Sequence, residues 1–472
     1  MQQLSGQDAS FVYSERPHAP THITSIGIYD PSTAPDGGIA FDGILDHLGS
    51  RLHLARAFRQ KLVRVPGDLD HPYWVEDGAF DLEYHVRQIA LPRPGDWQQF
   101  CVQAARIHAR PLDLTKPLWE LYVIDGLDRV EGLPEGCFAF LLKVHHAAVD
   151  GKSGVEIITA IHDQTPEIVD PSPPTEPWEP EREPSATDLL TRAGLNAMRA
   201  PVRSARLAAR LTPGLGKAVS TMRSTPDEAA LGLAPGTRFN GPVSPHRVLD
   251  VRTFPFAALK PMRAAVPGAT VNDVALAVLG GALRSYLDDA GELPEAPLRA
   301  MTPVSVRTEA ERADLGNQVS AMIVSLATDV GDPIERLAAV QRSTSGSKEV
   351  TAAVGARNLT ELSQLAPGLL IGLGTRLAGR FANRDAGTAI NTVVTNVPGA
   401  RQPLYFAGAE MLRWFGSGPV VDGMGLINIV GSYVDQFVLS FTADRAAMPD
   451  PERYAAAIEQ SFDDLAEATA PS

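Results

Sequence analysis

Two adjacent imidazoles, His145 and His146, followed by Asp150 and Gly151, are the group in this sequence best suited to proton chemistry. A histidine titrates near about pH 6.5, so it can take and return a proton at neutral pH. The pair follows the apolar run Phe138–Leu142, which reads as a buried strand. Adjacent residues of a strand point to opposite faces, so one imidazole can serve a given site while the other packs or orients its neighbour. That disfavours a joint zinc site, as does the lack of a His-Glu-x-x-His or Cys-x-x-Cys context. A free base suits a nucleophile that brings its own proton and an electrophile that needs no activation. A hydroxyl or amine attacking a thioester fits both conditions, with donors needed for the developing oxyanion. Asn272 and Asp273, near a helix start, are candidates for that polar role. There is no Gly-x-Ser-x-Gly elbow, no P-loop and no dinucleotide fingerprint.

The elements that must hold this group alternate strand and helix. Thr21–Tyr29, Tyr73–Val75, Tyr84–Val86, Leu118–Asp125 and Gly136–Val144 read as strands, with helices over Phe41–Phe58, Trp97–Ala109 and Val155–Ile161. Seven prolines between Pro166 and Pro184 break the pattern and mark an exposed linker. A basic stretch follows, Ala186–Arg223, in which Arg199, Arg203, Arg206 and Arg210 share one helical face. It suits an anionic lipid surface or a CoA phosphate, or equally a solvated connector. The second half resumes at His246. It carries strands over Leu298–Val306, Val319–Ala327 and Ala389–Val397, and an antiparallel pair at Leu426–Val430 and Gln436–Ala443. Its helices are expected at Val271–Leu287, capped by Thr270, at Pro333–Ser343 and at Pro451–Ala466. Leu365–Phe381, apolar with glycines and two arginines, reads as buried, or as a membrane or acyl-channel wall. Three units result: residues 1–165, a connector over 166–245, and residues 246–472, both large units α/β.

Composition sets the outer bounds. A chain of 472 residues with 44% hydrophobic and 21% charged residues is a soluble globular class with more than one core. Its net charge of -14 argues against nucleic acid as a partner. Two cysteines, Cys101 and Cys137, in apolar surroundings are expected to be buried free thiols of a reducing compartment. The first residues lack signal-peptide features, and no apolar run reaches the roughly 18 residues of a membrane span. The expectation is a cytoplasmic protein that meets any membrane from its surface.

Several short motifs then recur in a fixed order: Leu4-Ser5 with Asp8, Phe11 and Glu15; Pro20-x-His22; Phe58–Leu62; Trp74–Asp77; Phe80–Arg87; Pro117-Leu118-Trp119; and the His pair. Asn272-Asp273, Pro303–Arg307, Gly316–Gln318, Asn396–Gly399, Ser432-Tyr433 and Ala443–Arg445 follow. Together they resemble the bacterial wax ester synthase/acyl-CoA:diacylglycerol acyltransferase family, within the CoA-dependent acyltransferase superfamily. The resemblance implies two chloramphenicol-acetyltransferase-like domains with the active site in a tunnel between them. It implies fatty acyl transfer from acyl-CoA, as co-substrate, to diacylglycerol or a long-chain alcohol, with no metal and no resident cofactor. His146 is then the general base, His145 assists it, and Asp150 with Gly151 braces the loop, paired with Arg307. Asn272, Asp273 and Pro117, Leu118, Trp119 are substrate or tunnel candidates, the last three also readable as packing. Two departures from the family pattern, Thr21 where methionine is common and Ala400 where proline is common, are expected to leave the chemistry untouched. The other readings are a same-fold acyltransferase for a polar or polyketide-type alcohol, and a non-catalytic lipid-inclusion protein.

Overall fold

The computed structural model describes residues 1–35, 38–149, 153–173, 178–199, 233–305, 319–354 and 387–470. Two six-stranded sheets organise the chain, with a small three-stranded sheet beside the first. The first has the order Tyr405–Phe406, Ala409–Ser417, His22–Asp30, Phe138–His145, Trp119–Asp125, Val86–Ala90. All its pairs are antiparallel except the last. The central strand Phe138–His145 is buried at every position. That is why it shows a continuous apolar run rather than an alternation. The helices Phe41–Arg51 and Ser153–Ile161 cover one face and Trp97–His108 the other.

The second sheet has the order Val319–Ser325, Arg299–Ser305, Thr392–Pro398, Leu426–Tyr433, Gln436–Asp444, Arg247–Pro255. Helices Val271–Asp288, Pro333–Val354 and Pro451–Ala468 pack on it, and Val274, Leu279, Leu283, Phe441, Tyr454 and Phe462 lie in its core. The first of these helices starts with a full capping box. Thr270 Oγ1 accepts from Asp273 N–H, and the Asp273 carboxylate accepts from Thr270 N–H at 2.7 Å.

The halves are interlocked. The strand Ala409–Ser417 leaves the second half and pairs with His22–Asp30 of the first. Its Trp414 indole donates to Ser25 Oγ at 2.8 Å. On the other side, Trp97 donates to Asp250 at 2.8 Å, and one core cluster joins Phe100 and Ile107 to Leu249, Val251 and Val438. A linear boundary at 246 therefore describes the order of the chain but not its sheets.

Local readings differ from the structure in three places. Tyr84 and His85 are not in the strand with Val86. Asp81 accepts from Glu83 N–H and caps a short helix, Leu82–His85, so the strand begins only at Val86. The helix from Phe41 stops at Arg51, whose guanidinium turns to bond Asp163 at 2.9 Å, and 3-10 turns follow. The Pro-rich linker, though exposed, lies against the first half: Trp178 donates to Glu76, Arg59 sits 4.6 Å over the Trp178 ring, and Glu183 meets Lys61 at 3.1 Å. Arg203, Arg206 and Arg210 of the basic face, and Leu365–Phe381, lie outside the described residues. Cys101 and Cys137 are both free and buried.

Candidate active site

The strand Phe138–His145 ends at the first imidazole and a 3-10 turn, His146–Ala148, begins at the second. Backbone bonds fix this junction: His145 N–H donates to the Leu118 carbonyl at 2.9 Å and His146 N–H to the Thr21 carbonyl at 3.0 Å. The change from strand to turn sends the two side chains into different surroundings.

His145 is fully buried. Its Nδ1 accepts from Ala147 N–H at 3.0 Å. Its Nε2 lies 2.9 Å from the Glu15 carboxylate and 3.1 Å from Thr21 Oγ1. Both ring nitrogens are thus engaged. His146 is half-buried, and its ring stacks on Phe11 with centroids 3.8 Å apart and planes at 11°. Among the described residues nothing hydrogen-bonds its Nδ1. Burial, aided by the neighbouring His145, pushes its pKa down to about 4, so the imidazole is neutral across the physiological range. A third motif histidine, His22, pairs in register with His145 but is buried against the His108 carbonyl. Burial holds His22 well below its usual pKa and takes His108 to about 3. Both read as neutral core groups.

Pro117, Leu118 and Trp119 are buried. Trp119 packs on Phe58 and His85, and its indole donates to the Phe58 carbonyl, while Leu118 supplies the carbonyl that holds His145. Their contacts are structural, one bond removed from the imidazole pair. In the second half Asn272 is half-buried with its amide oxygen unpartnered among the described residues. Asp273 is different: its oxygens accept from Thr270 N–H and Oγ1 and, at 2.6 Å, from Thr344 Oγ1. Beside the start of that helix lies a cavity of about 400 Å³, lined by Val271, Pro398, Gly399, Val430, Ser432 and Phe437 among others. The Asn272 helix, the Asn396–Gly399 turn and the Ser432 strand end, far apart in sequence, therefore converge. Asp150, Gly151 and Arg307 lie outside the described residues.

Sequence reasoning misses three participants as site residues: Glu15, Phe11 and Thr21. Glu15 and Phe11 carry a visible signal, their place in the N-terminal motif, although nothing local links them to a histidine about 130 positions away. Thr21 is a correction. Contrary to the expectation that it leaves the chemistry untouched, its hydroxyl contacts His145 directly, because the strand pairing His22↔His145 brings the two chain positions together.

Residues 4–275 match the wax ester synthase/diacylglycerol acyltransferase catalytic domain, and residues 315–466 match the C-terminal domain of the same family. The chain is 35% identical over 460 residues to a Mycobacterium tuberculosis protein provisionally named diacylglycerol O-acyltransferase, covering 95% of this chain and 93% of that one. It is 30% identical to the O-acyltransferase WSD of Acinetobacter baylyi, covering 98% and 96%. The solved wax ester synthase/diacylglycerol acyltransferase of Marinobacter aquaeolei VT8 superposes with a TM-score of 0.68 at 26% identity, over 99% of this chain and 100% of that one.

Proposed function

Because this chain belongs to the wax ester synthase/diacylglycerol acyltransferase family, we propose that it moves a fatty acyl group from acyl-CoA to the hydroxyl of diacylglycerol or a long-chain alcohol, with His146 as the base. The observation that carries this assignment is the contrast between the two imidazoles. His145 is buried with both nitrogens engaged, whereas His146 is half-buried, neutral and without a partner at Nδ1 among the described residues.

In the reaction, neutral His146 takes the hydroxyl proton as the oxygen closes on the thioester carbonyl. The C–O bond forms, the C–S bond breaks, and the imidazolium returns its proton to the departing CoA thiolate. No covalent enzyme intermediate is needed. Asn272, whose amide oxygen has no partner among the described residues, is the member of the Asn272-Asp273 pair suited to meet a polar substrate group. The cavity beside it supports a substrate path through the second half.

Among the described residues no helix is long and apolar enough to cross a membrane. Within the basic stretch the helix 186–199 exposes Leu190, Leu195 and Met198, which supports contact with an anionic lipid surface. Neutralising Arg199, Arg203, Arg206 and Arg210 should weaken binding to anionic liposomes, and equal binding would make the stretch a plain connector.

Acceptor choice is tested by following CoA release with diacylglycerol, hexadecanol and small polar alcohols side by side. Turnover with either lipid acceptor is expected. Turnover confined to the polar alcohols would overturn the lipid assignment, and none with any acceptor would favour a non-catalytic protein.

A further inference from the structure

We propose that Glu15 is a positioning residue: it fixes the tautomer and orientation of His145 and, through it, the turn that carries the base. The inference rests on His146 being that base. Glu15 caps the helix Gly6–Ser14, and its side chain is 9% exposed beside a fully buried His145. Its Oε2 lies 2.9 Å from His145 Nε2, with Thr21 Oγ1 at 3.1 Å from the same nitrogen. The Thr21 hydroxyl hydrogen is committed to the Phe11 carbonyl at 3.0 Å, which leaves its oxygen as an acceptor. On the opposite edge of the ring, Nδ1 accepts from Ala147 N–H.

These contacts admit one arrangement, with the proton on Nε2 and the lone pair on Nδ1. The other tautomer would set N–H against N–H at Ala147 and a lone pair against the carboxylate. Protonating Nδ1 would break the link to Ala147.

Ala147 follows the base in the same 3-10 turn, so the Nδ1 bond sets the backbone from which His146 projects. Phe11 stacks on His146 from the other side, and its carbonyl accepts both Glu15 N–H and the Thr21 hydroxyl. Ring, carboxylate and turn are one connected unit. In a Ser-His-Asp triad the carboxylate orients the base itself. In this chain it orients the neighbouring imidazole, and the base is held by stacking and by its backbone. Thr21 adds a second acceptor at the same nitrogen.

The test compares Glu15→Ala, Glu15→Gln and Thr21→Val by steady-state kinetics and by ¹⁵N NMR of histidine-labelled protein, with circular dichroism reporting the fold. Glu15→Ala should lower kcat about 10²-fold, the size expected of a misplaced reacting group, with KM for acyl-CoA little changed. Glu15→Gln should recover most of that loss, because its amide oxygen accepts the same N–H. Thr21→Val should cost more in the Glu15→Ala background than alone, because the two acceptors share one proton. NMR should show His145 protonated at Nε2 in the parent and in Glu15→Gln, and a mixture of tautomers in Glu15→Ala. Wild-type kcat in Glu15→Ala would overturn the proposal, as would an unchanged His145 tautomer in that variant. The tautomer readout does not depend on turnover, so failure of the base assignment, seen as an active His146→Ala, is distinguishable from failure of this one.

Discussion

Replacing each imidazole with alanine should separate chemistry from stability. His146→Ala removes the base, and loss of general-base catalysis is typically about 10²- to 10⁴-fold in rate, or about 2.7–5.5 kcal/mol of barrier. Its structural cost should be small, since Nδ1 has no hydrogen-bond partner among the described residues and the substitution chiefly removes the stack on Phe11. A stacked pair of this kind is worth about 0.5–1.5 kcal/mol. His145→Ala does the reverse. It strips a fully buried ring from the Glu15 carboxylate and from Ala147 N–H. Leaving a buried hydrogen-bonding group without its partner costs about 1–3 kcal/mol, more for a charged one, and loss of the ring leaves a cavity besides, so this variant should be strongly destabilised and lose activity as a consequence. CoA release measured with a thiol reagent, beside urea denaturation of both variants, reads the two effects independently. A His146→Ala protein that turns over at the parent rate would refute the base assignment. One destabilised as severely as His145→Ala would refute the claim that His146 is structurally unencumbered.

The buried histidines predict how stability depends on pH. Burial lowers His108 to about 3 and His146 and His162 to about 4, whereas an unfolded histidine titrates near about 6.5. The unfolded chain therefore binds more protons between these values, and stability is lost as pH falls from about 6.5 toward 4. At pH 5 each fully buried imidazole should cost about 2 kcal/mol relative to pH 7, and equal denaturation midpoints at the two pH values would count against neutral burial. The protonation of His146 alone should leave kcat/KM level above pH 5. Gly399→Ala should be poorly tolerated, because a Cβ would lie 2.1 Å from the Ser432 carbonyl, the acceptor of Gly399's own N–H. Overpacking of this kind costs about 1–3 kcal/mol; denaturation midpoint and acyl-CoA turnover should fall together, and a variant matching the parent in both would show that the turn can open.

Much of the site is legible in local pattern. The strand into His145 is evident because a fully buried strand has a continuous apolar run, Phe138–Leu142. The helix from Val271 is evident because Thr270 and Asp273 stand at capping-box spacing. The same spacing explains why Asp273 resembles a substrate residue in a motif, when its oxygens bond Thr270 and Thr344 and Asn272 is the one of the pair with an unpartnered polar atom among the described residues. Tyr84 and His85 depart from the strand expected of them because a single Asp81 cap outweighs the strand preference of a short aromatic segment.

By itself the sequence determined the chemistry at hand: paired imidazoles at a strand end, two α/β halves and a Pro-rich break between them. Those features depend on residue type and on spacings of a few positions, which local geometry converts directly into structure. Tertiary structure alone decided that His145 has both nitrogens engaged while His146 Nδ1 has no partner among the described residues. Pairing of His22–Asp30 with Phe138–His145 carries Thr21 and the helix end with Phe11 and Glu15 to the His pair. The strand Ala409–Ser417 then crosses to complete the same sheet. Strand register over more than a hundred residues is set by the burial of whole faces, so no local pattern could have assigned the Glu15 carboxylate to His145.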